Sequence, residues 1–187
     1  MMRKWFGYCL FIAWFGVVSL IIAATMGLHA APLPQTRIAS RPSLAADGRW
    51  QLIHVLVADC GCSRIVAQHL ADRGPLADAS EKIWLVGDNS QMSQKLQAHN
   101  FPVQPTDPEF LTTHFGINGG PWLLVIDPHG QVVYSGGYAP TLIRFASDPR
   151  EKEILQNAKN GKVDVYPAFG CASSKWLKDA TDPLGIK

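Results

Sequence analysis

Cys60-Gly61-Cys62, two cysteines separated by one glycine, is the constellation in this chain best suited to chemistry. A thiolate attacks disulfides and binds soft metal ions, so a close thiol pair points to redox or metal chemistry before it points to a staple. The pair follows a short apolar run and precedes a segment with helical spacing. A helix N-terminus carries partial positive charge and unpaired N–H groups, both of which favour a thiolate. Arg64 adds a cation if it folds back. Asp59, beside Cys60, pulls the other way by raising a neighbouring thiol pKa. Of the other two cysteines, Cys9 lies in a hydrophobic segment and Cys171 precedes a second short helical pattern. Three cysteines outside that segment are an odd number, which argues against a purely structural disulfide framework. Cys171 is either a third redox thiol facing the Cys60/Cys62 turn or a buried, inert one.

The elements that must position these thiols are readable from pattern. Leu52 to Ala58 (LIHVLVA) predicts a buried strand. Ser63 to Arg73 has helical spacing, with Gly74-Pro75 as a stop. Lys82 to Val86 predicts a second strand, and Ser90 to His99 a polar surface helix. Thr106-Asp107-Pro108-Glu109 reads as a helix start, with Thr106 or Asp107 as cap and Glu109 closing a capping box with Thr106. That helix is expected to end near Phe115. Trp122–Ile126 and Gln131–Ser135, joined by Asp127-Pro128-His129-Gly130, predict an antiparallel hairpin. Helices are expected over Pro149 to Asn160 and from Ser173 to about Ala180. Alternating strands and helices closed by a hairpin imply an α/β fold, a mixed sheet with helices on both faces.

Ahead of this domain, Trp5 to Leu28 carries no charge, and these 24 residues suffice to cross a hydrocarbon core of about 30 Å. Arg3 and Lys4 precede the segment, and no Lys or Arg follows until Arg37. The positive-inside bias keeps the N-terminus in the cytoplasm and sends the rest across. Leu28-His29-Ala30 is a poor signal-cleavage site and the apolar run is long for a signal peptide, so residues 1–29 are expected to be an uncleaved transmembrane helix. Residues 30–48, rich in Pro, Ser and Ala, read as a linker, and 49–187 as the domain. The expected location is the inner membrane, single-pass, with the domain on the periplasmic or extracytoplasmic side, where disulfides persist.

From Phe115 the chain reads FGINGGPWLLVIDPHGQVVYSGG. Gly116, Ile117, Gly119, Pro121, the apolar strand, Gly130 and Gly136-Gly137 resemble the second half of the thioredoxin-like superfamily, closest to its exported reductases. With the two-cysteine turn upstream, the resemblance covers about Trp50 to Tyr138; from about 139 the chain extends beyond it. The resemblance implies a thioredoxin-like fold, a cis-proline at Pro121 lying against the thiol turn, and Gly120 and Pro121 as substrate-binding residues. It implies Cys60 as the exposed nucleophile, with Cys62 and Cys171 as further catalytic candidates. The family's usual spacing is Cys-x-x-Cys, and two readings of the departure stay open. Either Cys60 and Cys62 form a strained disulfide, or Ser63 occupies the resolving position and Cys62 or Cys171 resolves. His54 stands in the strand where the family buries an Asp, so the family's proton route does not carry over.

The function expected is thiol–disulfide exchange, of reductase or isomerase type, on exported cysteine-containing client proteins, with a transmembrane electron donor as a possible partner and no cofactor. The alternatives are a copper-handling thioredoxin-fold protein and a non-catalytic interaction module. His114 and His129 are the candidate extra ligands for copper; both read more simply as capping or solvated residues, and no metal site is assigned. The formal charge of +2 is small and the basic residues are scattered, which argues against nucleic acid.

Overall fold

The computed structural model describes residues 2–36, 43–143 and 149–181. The chain divides into two compact units, Met1–Ala31 and Pro32–Lys187. The first is one helix, α1, Met2–Ala30. Many of its described side chains are apolar and exposed, among them Trp5, Tyr8, Phe11, Ile12, Trp14, Phe15 and Leu20. Among the described residues, no helix is long and apolar enough to cross a membrane.

The second unit is built on β1, Gln51–Val57, every residue of which is buried. That burial explains why the strand reads as an apolar run, interrupted inside it only by His54. Parallel to it lies β2, Ser80–Val86, and beyond that β3, Val103–Pro105. On its other side β5, Trp122–Ile126, runs antiparallel, and β6, Val132–Gly136, completes the order β3-β2-β1-β5-β6. Alternation along β1 sends Leu52 and Leu56 to one core and Ile53, Val55 and Val57 to another. The first core is covered by α2 (Gly61–Arg73), α3 (Ser90–Ala98) and α5 (Glu151–Lys159), and the second by α4 (Pro108–Phe115). This is the thioredoxin-like mixed sheet with helices on both faces. Two further elements follow from the site: β4, Gly119–Gly120, pairs with β7, Cys171–Ala172, ahead of α6, Lys175–Thr181.

Several local expectations are corrected. Of the two caps the sequence offers, Asp107 is the one used, accepting the Glu109 N–H at 3.0 Å; the expected capping box with Thr106 does not form, because the Thr106 hydroxyl donates to Gln104 O. Helix α5 starts after Pro149, with Arg150 as N-cap because its N–H is taken by Tyr138 O. Strand β3 was not legible, since it is short, polar and ends on a proline, as edge strands can. Of the expected linker, Leu33 donates its N–H to Ala168 O, Thr36 to Gly116 O and Leu44 to Gly130 O, so both described segments are bonded to the domain. Residues 37–42 lie outside the described residues.

His54 belongs to a buried charged network on the α2/α5 side. Its Nδ1 meets the Tyr138 hydroxyl at 2.8 Å and its Nε2 meets Glu81 at 3.1 Å. Arg73 donates to both oxygens of Glu81 at 2.6 and 3.0 Å and to Glu151 at 2.6 Å, and Glu151 also meets His69 at 2.9 Å. Burial pushes the Glu81 carboxyl up, but hydrogen bonds from His54 and Arg73 outweigh it and hold the group down at about 2.

Candidate thiol site

Strand β1 ends at Val57, and a two-residue turn, Ala58-Asp59, delivers Cys60 as the N-cap of α2 with an extended backbone (φ −93°, ψ 123°). Cys60 N–H returns to Val57 O at 3.1 Å, and Arg64 N–H closes the first helical turn on Cys60 O at 3.0 Å. The helix starts at Gly61, two residues before the Ser63 that the spacing predicts, and Cys62 lies inside its first turn. Ser63 is fully buried, and its Oγ accepts the Val57 N–H at 2.9 Å. A buried, turn-closing hydroxyl in the position of a second Cys-x-x-Cys cysteine fits the overlay reading. No disulfide joins the described cysteines, so the Cys60–Cys62 bond of the other reading is not formed here.

The Gly120–Pro121 bond is cis. Cys60 Sγ donates to Gly120 O at 3.4 Å, which puts the thiol directly against the proline loop. Gly120 is opposite Cys171 in the β4/β7 pair, so the third cysteine is brought to the same point. Three thiols thus converge. Hydrogen bonds from Cys171 first, then Cys62, hold the Cys60 thiol far below its ordinary value, with the Ser63 N–H and hydroxyl adding to the effect against the opposing cost of burial. Cys62 is pushed up, because it gives its proton toward Cys60 and is itself partly buried. The contact with Gly120 O belongs to the protonated Cys60, since a thiolate cannot donate. Four donors to the Cys60 sulfur outweigh the one carbonyl that favours its protonated form, so the thiol is lowered. The shift comes from these neighbours; Arg64 and Asp59, both exposed, are not its source.

One expectation is reversed. Cys60 is 0% exposed, whereas Cys62 and Cys171 are half-buried. The group with thiolate character is covered, and the thiols at the surface are the two that donate to it. The covering segment approaches by close backbone contact. A Cβ on Gly170 would fall 2.0 Å from Gly120 O, and one on Gly137 would fall 2.1 Å from Pro167 O. Gly137 N–H binds Tyr166 O at 2.9 Å, and the Ser173 and Ser174 N–H groups both reach Asn118 O. The sequence left open whether Cys171 faces the Cys60/Cys62 turn; Gly170 beside it is the residue whose missing Cβ permits the approach to Gly120.

The histidines named for a metal go elsewhere. His114 donates from Nδ1 to Phe110 O at 3.0 Å, and His129 sits in the β5–β6 turn, its N–H on Asp127. Among the described residues, no group of three or more His, Cys, Asp or Glu could hold a metal ion.

A family model, Domain of unknown function (DUF6436), matches residues 31–171. No curated protein matches the sequence. Among solved structures, a hypothetical protein from Sinorhizobium meliloti 1021 is similar in fold, with a TM-score of 0.52 and 14% identity over 77% of this chain and 96% of that one. A thiol:disulfide interchange protein of the thioredoxin family from Chlorobium tepidum TLS has a TM-score of 0.43 and 15% identity, over 67% of this chain and 99% of its own. A putative protein disulfide isomerase from Bacteroides thetaiotaomicron has a TM-score of 0.43 and 12% identity, over 67% and 89%.

Proposed function

The chain belongs to the DUF6436 family, and from the geometry of its thiols we propose that it carries out thiol–disulfide exchange. The observation that carries this reading is the convergence of Cys62 and Cys171 on a Cys60 whose pKa they lower. A thiolate is the attacking species in exchange, and a second thiol within hydrogen-bonding reach resolves the mixed disulfide. Cys60 is the attacking sulfur, Cys62 and Cys171 are the candidates for resolution, and Gly120 and Pro121 form the adjoining substrate surface. The half-buried thiols keep the cluster within reach of a client once Cys60 is uncovered.

Helix α1 is the membrane anchor in this reading, supported by the uncharged run from Trp5 to Leu28 behind Arg3 and Lys4 and by its outward apolar side chains. The domain then lies outside the cytoplasm, in the periplasm of a cell with two membranes. Its clients are exported cysteine-containing proteins, and its electrons come from a transmembrane donor. A reporter fused after Lys187 should work only on the extracytoplasmic side; activity confined to the cytoplasm overturns the placement.

Exchange is tested with the full-length chain, a disulfide-bonded model peptide and dithiothreitol as electron source. Peptide reduction is expected in the wild type and lost in Cys60→Ser. Undiminished reduction by Cys60→Ser removes the assignment.

A further inference from the structure

The backbone edge of β4 lies beside Cys60 and is already occupied, by a segment of the same chain. Strand β7 pairs antiparallel with it, Gly119 against Ala172 and Gly120 against Cys171. The occupant is itself an extended peptide with a cysteine aimed at Cys60, and that cysteine is the first of the hydrogen-bond donors to it. Only two residue pairs make the ladder. The docked segment also buries two hydroxyls, Ser173 Oγ and Ser174 Oγ, that have no hydrogen-bond partner among the described residues. Burying an unpaired hydroxyl is unfavourable, and release of the segment into water recovers that cost. The segment thus covers Cys60 through a ladder of only two residue pairs, with the Ser173 and Ser174 N–H bonds to Asn118 O anchoring it just beyond.

We propose that β7 is a built-in occupant of the Gly119–Gly120 edge and that Cys171 is the resolving thiol, so that the oxidised protein carries a Cys60–Cys171 bond and a closed site. The proposal rests on the exchange reading above. With β7 displaced, the Cys60 thiolate attacks one sulfur of a client disulfide, forming the mixed disulfide and expelling the other client sulfur as a thiolate. When β7 returns, the Cys171 sulfur attacks Cys60 and the bond from Cys60 to the client breaks. The departing client sulfur takes the Cys171 proton. The client has gained two electrons, and Cys60 and Cys171 have lost them; the client thiolate expelled first takes its proton from water, and an external dithiol returns the two electrons and the one proton that Cys171 lost, its second proton going to water. Because Cys171 returns to the edge a client strand would use, resolution and client release are one event. Cys62 is less suited, since a Cys60–Cys62 bond must close inside the first turn of α2, which the Arg64 N–H bond to Cys60 O holds.

The test uses the full-length chain, the same model peptide, and non-reducing digestion with mass spectrometry. A Cys60–Cys171 linked fragment is expected in the wild type and in Cys62→Ser. Cys171→Ser should accumulate the Cys60–peptide mixed disulfide. Gly170→Ala should speed the first attack about tenfold by raising the uncovered fraction, because a Cβ there meets Gly120 O. A Cys60–Cys62 fragment in place of Cys60–Cys171, or Cys171→Ser resolving at the wild-type rate, overturns the proposal while leaving exchange intact. An unchanged first step in Gly170→Ala overturns the closure. If Cys60→Ser reduces the peptide as the wild type does, the exchange reading falls first, and the proposal with it.

Discussion

Two polar clusters lie on opposite sides of the central sheet. On the α2/α5 side, the charges of Glu81, Arg73 and Glu151 meet through short, multiple hydrogen bonds, and His54 and His69 bond to the two carboxylates. On the α4 side, Cys60 is held by thiols, a serine and one carbonyl. The first cluster has fixed charges, and removing any one leaves its partners buried and unmatched. The second shares a single negative charge among neighbours that can each give up a proton or form a bond. One arrangement holds charges in place, and the other, in the proposed reading, holds a nucleophile. If the thiol site exchanges disulfides as proposed, this separation lets it do so without disturbing the charges that hold α2 and α5 to the sheet.

The contrast is broken most severely at Cys60. Cys60→Ser should lower peptide reduction about a thousandfold or more, because the attacking sulfur is lost. Chemical denaturation should show only about 1 kcal/mol of lost stability, as for an ordinary near-isosteric change. A large stability loss with retained exchange would mean that the two clusters have been assigned the wrong way round.

Glu81→Ala should do the reverse. It leaves Arg73 and His54 without their shared carboxylate and should cost about 3–5 kcal/mol, measured by urea unfolding, with exchange per folded molecule preserved. The Glu81 pKa is depressed from 4.5 to about 2, so its contribution is complete above about 4.5 and is lost as pH falls from there toward 2. Acid unfolding of the wild type should steepen across that window, and Glu81→Gln should flatten it.

Cys62→Ser and Cys171→Ser each remove a thiol donor to Cys60. The pH at which the first exchange step is half-maximal should rise toward the ordinary thiol value of 9.0 in both, further in Cys171→Ser, the larger contributor. Asp59→Asn should be the mildest change, altering the first-step rate less than about twofold, because an exposed carboxylate is screened by water and salt.

Much of the frame was readable because it depends on local pattern. The buried run of β1, the apolar hairpin strands and the Gly-x-Pro segment before β5 carry their own signals, and Cys60 at a strand-to-helix junction follows from them. What was not readable depends on contacts distant in sequence. Cys171 meets Gly120 only because residues beyond the hairpin fold back, and the two-residue strands β4 and β7 are too short for a period to register. The burial of Cys60 is a consequence of that return. Likewise, His54 in an apolar strand gave no hint of Glu81 and Arg73, which reach it from β2 and α2. The Thr106 capping box failed for a local reason, since Asp107 offered a nearer carboxylate to the Glu109 N–H.

The central claim is that Cys60 carries a shared thiolate at neutral pH. The direct measurement is the ultraviolet thiolate absorbance of the reduced, full-length protein as a function of pH, in a Cys9→Ser background, with Cys60→Ser subtracted. The account predicts one thiolate assigned to Cys60 that persists well below neutral pH and shows no ionisation step near 9.0. A Cys60-dependent step near 9.0, with no thiolate at neutral pH, would contradict it.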